Sequence, residues 1–166
     1  MVVVRAAGPG EWATLREVRL AALREAPSAF ASTHAREEPF TEEQWRGRLS
    51  RDGSVTLFGY LAVAGSGGDR AAPAGIAGVL QQGGEADLVS MWVRPAARGR
   101  GVGEALIAAA AGWAKARDHD SLYLWVTATN APARRLYERC GFAPTGESQP
   151  LPSDPSLSEI RMSRRL

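Results

Sequence analysis

The stretch Arg98-Gly99-Arg100-Gly101-Val102-Gly103 holds the chemistry most easily read from this sequence. It follows a strand-like run, Asp87 to Val93, and a turn broken by Pro95, and it opens an apolar-faced helix. A helix entered this way aims unbonded backbone N–H groups at one point, with the positive end of its dipole behind them. Such a start seats a phosphate, and glycines let the ligand approach the backbone closely. Arg98 and Arg100 add planar cationic donors suited to phosphate oxygens. The loop therefore predicts a diphosphate ligand. A dinucleotide fingerprint would need glycine where Glu104 stands, and a nucleoside-triphosphate loop would need Lys then Ser or Thr in place of Glu104-Ala105.

Other reactive side chains are sparse. Asp87 and Glu85 begin the strand before the loop, where a carboxylate is either a proton acceptor or a solvated strand end. Tyr137 shares helical spacing with Ala133, Leu136 and Cys140, the pattern of a core tyrosine. Asn130-Ala131-Pro132 reads as a capped helix start, and Gly141 as the stop of that helix. Cys140 falls on the apolar face and reads as a structural thiol. A single cysteine excludes an internal disulfide, and two distant histidines give no zinc-ligand spacing, so no metal is expected.

The elements that must hold these residues can be taken in chain order. Val2-Val3-Val4 predicts a first strand and Glu11 to Glu25 a helix, followed by a loop-like connection over Ala26 to Pro39. Thr41 with Gln44 is a capping box that starts a short helix to about Leu49. Strands follow at Ser54 to Val63 and Ala74 to Gln81, with a polar, glycine-rich turn from Gly65 to Pro73 between them. Gln82 to Glu85 turns the chain into the strand before the loop. After the Gly103–Arg117 helix come a strand at Leu122 to Val126, the Asn130 helix, and two closing strands around a Pro- and Ser-rich loop, Pro150 to Pro155. This order predicts one α/β domain over residues 1–166, with the strands on either side of the Gly103 helix parallel.

At 166 residues, 45% hydrophobic and 23% charged, the chain has ordinary globular composition. A net charge of +2 argues against nucleic acid as the partner. No apolar run is long enough to span a bilayer and no secretory layout is visible, which predicts a cytoplasmic protein with no membrane partner.

The R-x-x-G-x-G pattern of Arg98 to Gly103 resembles the signature of the GNAT superfamily of acetyl-CoA-dependent N-acetyltransferases. The resemblance extends, in order, through the strand Leu122–Val126, Asn130, Tyr137 and Gly141-Phe142, covering Ala86 to about Phe142. It implies a mixed, predominantly antiparallel sheet with flanking helices, whose central parallel strand pair splays apart to take the coenzyme. It also implies acetyl-CoA as co-substrate, its pyrophosphate wrapped by Arg98, Gly99, Arg100, Gly101, Val102, Gly103 and Glu104. Met91, Trp92 and Val93 would supply backbone groups to the pantetheine arm, and Asn130 and Ala133 would touch the coenzyme. Tyr137 would protonate the departing thiolate, a task that a phenol with pKa about 10 can perform at neutral pH. Asp87 stands where the histone-type branch carries a catalytic Glu. The shorter aspartate implies base action through a water.

The acceptor is a primary amine on a small molecule, an amino acid, an antibiotic or a protein; the residues do not choose among these. Phe30, Glu37 and Trp45 offer either an aromatic and acidic surface for a cationic amine or, on the plainer reading, core and solvated positions. A catalytically weak coenzyme-binding sensor is the alternative to an enzyme. A homodimer is suggested by the family's habits alone.

Overall fold

Alternation along the strands gives one sheet two apolar faces, and helices cover them unequally. The computed structural model describes residues 1–62 and 71–166. In chain order these form β1 (Val2–Ala6), α1 (Trp12–Glu25), α2 (His34–Glu37), α3 (Glu42–Leu49), β2 (Ser54–Leu61), β3 (Gly75–Gln82) and β4 (Glu85–Val93). Then follow α4 (Val102–Lys115), β5 (Ser121–Thr127), α5 (Ala131–Arg139), β6 (Ala143–Leu151) and β7 (Asp154–Arg165). The sheet order is β1-β2-β3-β4-β5-β7-β6, antiparallel throughout except for the β4–β5 pair. The expected strand end at Val63 and most of the turn over 65–73 lie outside the described residues. Among the described residues, no helix is long and apolar enough to cross a membrane.

Neighbouring strand residues part company at once, as a period of two requires. Leu57, Ala77, Val79, Leu88, Leu122 and Leu124 turn toward α4, whose Leu106, Ile107, Ala110 and Ala114 fill the space above them. Phe58, Ile76 and Trp92 turn the other way, onto Leu15, Val18, Leu23, Phe30 and Trp45 from the α1–α3 region. The capping box forms as predicted: Thr41 Oγ1 accepts from the Gln44 amide at 3.3 Å, while Gln44 Oε1 accepts from the Thr41 amide at 2.8 Å.

The parallel pair is short. β4 and β5 match only at Ala86–Leu122, Asp87–Tyr123 and Leu88–Leu124. Beyond Leu88 each strand continues without the other, β4 to Val93 and β5 to Thr127, so the sheet opens between them. On the β3 side, Gly78 pairs with Val89 but Ile76 pairs with Trp92, so Ser90 and Met91 together face Ala77 in a bulge. Ser90 takes a positive φ of 57° there.

Two expectations are corrected. The Pro150–Pro155 loop is largely strand: β6 and β7 meet at Leu151–Asp154, leaving only Pro152 and Ser153 as the turn. Prolines are tolerated there because β6 is the edge strand, whose outward N–H groups need no partner. The connection over Ala26 to Pro39 is not loop-like throughout, since Pro27–Ala29 forms a 3₁₀ turn and His34–Glu37 the short α2.

The aromatic and acidic surface is corrected with it. Phe30 and Trp45 are core, and Trp45 is fully buried, where truncation to Ala typically costs about 3–5 kcal/mol. Glu37 is 1% exposed. Its Oε1 and Oε2 accept from Arg19 at 3.0 Å each, and Arg48 reaches them at 3.0 and 3.1 Å. A carboxylate saturated by two arginines has nothing left for a cationic amine. Burial pushes the Glu37 carboxyl up, but hydrogen bonds from Arg19 and Arg48 and their charges outweigh it and hold the pKa at about 2, against an ordinary 4.5.

A carboxyl depressed in this way stabilises the fold above pH 4.5, and that contribution drains away as pH falls toward 2. Glu37→Gln should therefore be less stable than wild type at pH 7 by on the order of 3 kcal/mol, with the gap closing in acid. Urea titrations at pH 7 and near pH 3 measure both values. A gap that stays constant between them would dismiss the charge account.

Candidate functional site

The opening between β4 and β5 is the mouth of a cleft of about 410 Å³. Its floor is the end of β4 that β5 leaves unpaired on one edge, Met91 to Val93; α5 contributes Ala133, Leu136 and Tyr137, and the start of α4 closes one end. Gly99 and Gly101 have φ of 72° and 83°, left-handed values that side chains disfavour, and with them the chain doubles back into α4. The first intrahelical bond of α4 runs from the Ala105 amide to the Gly101 carbonyl at 3.1 Å. The amides of Val102, Gly103 and Glu104 therefore have no acceptor within the helix and stand at the cleft. Gly103 is glycine for packing: a Cβ there would come within 3.0 Å of Leu136 Cδ2. That contact lets α5 lie close enough to α4 to form the opposite wall.

The structure gathers most of the residues expected to hold the coenzyme. Met91, Trp92, Val93, Arg98, Gly99, Gly101, Val102, Gly103, Glu104, Asn130 and Ala133 all line the cleft, and Tyr137 lines it with them. Arg100 does not; between the two left-handed glycines it faces a separate, open depression with Glu17 and Arg94. Asn130 caps α5, its Oδ1 accepting from the Ala133 amide at 3.3 Å. Tyr137 is buried, with its ring edge-on to Phe142 at 5.8 Å between centroids. Burial raises the phenol's pKa above its usual 10, so the hydroxyl keeps its proton at neutral pH. Burial likewise raises the Cys140 thiol, and Glu104 pushes the same way, which leaves an unactivated thiol as expected.

Glu25, which sequence reasoning missed, ends α1 and lines the same cleft. Its Oε2 accepts from Trp92 Nε1 at 2.9 Å and from Arg98 Nη2 at 2.7 Å. These hydrogen bonds, Trp92 first, hold the carboxyl below its usual range. Arg98 is steadied further by donating from Nε to the Val93 carbonyl at 3.1 Å. An arginine thus waits beside the amides of α4, held by a carboxylate that an anionic ligand must displace or share.

Asp87 is not in the cleft. It lies in the paired part of β4, four residues before Met91 and so about 13 Å back along the strand. It is buried, with Oδ1 3.2 Å from Arg161 Nη1, a charge contact without a well-aligned hydrogen bond. Burial raises the Asp87 carboxyl above its ordinary value even though Arg161 pulls it down. Arg161 also pairs with Glu85 at 2.5 Å and lies over the rings of Tyr123 and Trp125 at 4.6 and 5.3 Å. Nothing local in the sequence marked this arginine. Its one signal is a charge alternating with Ile160 and Met162 on a closing strand.

Comparison with known proteins points one way. A family model described as "Acetyltransferase (GNAT) family" matches residues 19–142. A mycothiol acetyltransferase of Clavibacter sepedonicus is 42% identical over 60 residues, 36% of this chain and 20% of that protein. A streptothricin acetyltransferase of Streptomyces lavendulae is 47% identical over 51 residues, 31% of this chain and 27% of that protein. The chain thus matches at most about a quarter of the length of these two relatives. The crystal structure of a GCN5-related N-acetyltransferase from Kribbella flavida superposes with a TM-score of 0.74 at 25% identity, covering 99% of this chain and 98% of that one.

Glu25 places negative charge in an anion seat, so Glu25→Gln should tighten coenzyme A binding roughly two- to five-fold, the scale of one partly screened charge. Titration calorimetry measures it. Weaker binding in the variant would mean instead that Glu25 serves the ligand by positioning Arg98.

Proposed function

Because the chain belongs to the GNAT acetyltransferase family, we propose that it transfers an acetyl group from acetyl-CoA directly to a primary amine within a ternary complex. One observation carries this reading: a single cleft has unbonded helix amides and Arg98 at one end, an unpaired strand edge along its floor, and a protonated tyrosine in its wall. The amides of Val102 to Glu104 would take the pyrophosphate. Main-chain groups of Met91 to Val93, released from β5 by the splay, would bond the pantetheine arm as a strand bonds its neighbour. Asn130 and Ala133 would meet the coenzyme from α5.

The amine nitrogen attacks the thioester carbon, the C–S bond breaks, the Tyr137 hydroxyl gives its proton to the departing sulfur, and the proton then shed by the acylated nitrogen restores the phenol. The amine must first lose a proton. Asp87, outside the cleft and about 13 Å back along β4, would take it through a chain of waters and not the single one first expected, and its raised pKa suits the task. Bases act best when their pKa approaches the working pH. Arg161, through its pairing with Asp87 and Glu85, would fix the orientation of that carboxylate. The relatives named for mycothiol and streptothricin acetylation favour a small-molecule acceptor. The cytoplasm is the proposed site of action.

Acetyl-CoA in excess should raise the thermal midpoint, as any ligand of the native state does. With a productive amine, thiol release should follow, and Tyr137→Phe should lower kcat about 10²- to 10⁴-fold with little change in KM. Full activity in that variant would remove Tyr137 from the acid role.

A further inference from the structure

The bulge at Ser90-Met91 separates two cavities. Met91 lines the coenzyme cleft, whereas Ser90 and Val89 line a second cavity of about 230 Å³ between β2–β4 and the α1–α3 region. The walls of the second cavity are unusual in charge. Arg19, Arg48 and Arg51 all reach it, hydroxyls of Ser54, Thr56 and Ser90 complete its polar lining, and no carboxylate lines it. Glu37 behind the wall answers both Arg19 and Arg48, so three guanidiniums are set against one carboxylate. Arg51 forms no ion pair among the described residues. Arg19 Nη1 donates to Ser90 Oγ at 3.3 Å, which ties the cationic wall to the bulge itself.

Uncompensated cations around a partly enclosed space favour an anionic occupant, and guanidinium forks match a carboxylate in shape. We infer that this cavity receives a carboxylate of the acceptor, and that the acceptor is a small amino-acid-like amine rather than a polyamine or another purely cationic amine. The inference rests on the acetyltransferase reading and specifies its substrate. Arg51, and the free edge of Arg48, would bind the carboxylate. The bulge would then bring the amine next to Met91, where the acetyl group arrives. Leu15, Ile76 and Val89 give the same cavity an apolar side able to take an aliphatic portion. This charge pattern also disfavours a purely cationic amine, the guest that an aromatic and acidic surface of Phe30, Glu37 and Trp45 would have suited.

The simpler account is that Arg48 and Arg51 only complement the C-terminal end of α3. That account assigns them no effect on acceptor choice, which makes the two separable. Thiol release from acetyl-CoA should be followed with amino acids and, beside each, the amine left by its decarboxylation. The expected result is that at least one amino acid exceeds its decarboxylated partner about ten-fold or more in kcat/KM. Arg51→Ala should collapse that preference chiefly by raising KM for the amino acid, and Arg51→Lys should restore part of it. Retained protection by coenzyme A will show that both variants are folded. Equal or better turnover of the decarboxylated series, or an equal loss on both series in Arg51→Ala, overturns the inference and leaves the acetyltransferase reading intact. No turnover with any amine, and no protection by acetyl-CoA, overturns both.

Discussion

Beyond Leu88 and Leu124, β4 and β5 no longer share hydrogen bonds, and the site follows from that separation. Main-chain donors and acceptors inside a protein must be bonded to something. A central strand that loses a neighbour therefore exposes a row of groups that only solvent or an extended ligand can satisfy. Antiparallel partners hold the rest of the sheet in register, β3 against β4 and β7 against β5, so the opening is local. The bulge at Ser90 and Met91 bends β4 where the pairing with β5 has ended.

The helices exploit the opening through close approach. α4 covers one face of the sheet with alanines, Leu106 and Ile107, so its first turn reaches the mouth of the cleft without bulky side chains in the way. Gly103 lets Leu136 sit against that turn, which brings α5, and with it Tyr137, to the facing wall. On the opposite face the charges are handled in pairs and triads. Arg19 and Arg48 close on Glu37, Arg98 on Glu25, and Arg161 on both Glu85 and Asp87. The buried Glu37 and Asp87 are each answered by a guanidinium, whereas the buried Glu159 accepts from the Gln149 amide instead.

What was legible in the sequence was local. The Thr41–Gln44 box, the Asn130 cap, the glycine-led entry to α4 and the spacing that buries Tyr137 each depend on residues within a turn of one another. The parallel pair followed from element order, because a strand–helix–strand connection leaves few choices. What stayed hidden is contact between segments far apart in the chain. Arg19 meets Glu37 across 18 residues, Arg98 meets Glu25 across 73, and Arg161 meets Glu85 across 76. Glu37 misled because a glutamate in a stretch read as loop is usually solvated, and the short α2 that turns it inward carries too few apolar residues to show a period. Arg100 misled because alternate residues between left-handed glycines point apart, a fact of backbone geometry that a motif does not encode.

Ser90 gives the region a mechanical property. A serine held at φ 57° stores on the order of 1 kcal/mol that glycine would release. Its hydroxyl is bonded to Arg19, which is itself clamped by Glu37, so the strained turn is braced from α1 and α2. The partition between the two cavities is therefore tied to the helices on one side. Its position follows from the backbone turn at Ser90 and from the buried Arg19–Glu37 pair. An acceptor anchored on the Ser90 side would have to reach past the bulge, where β5 leaves the edge of β4 open, to bring its amine to Met91.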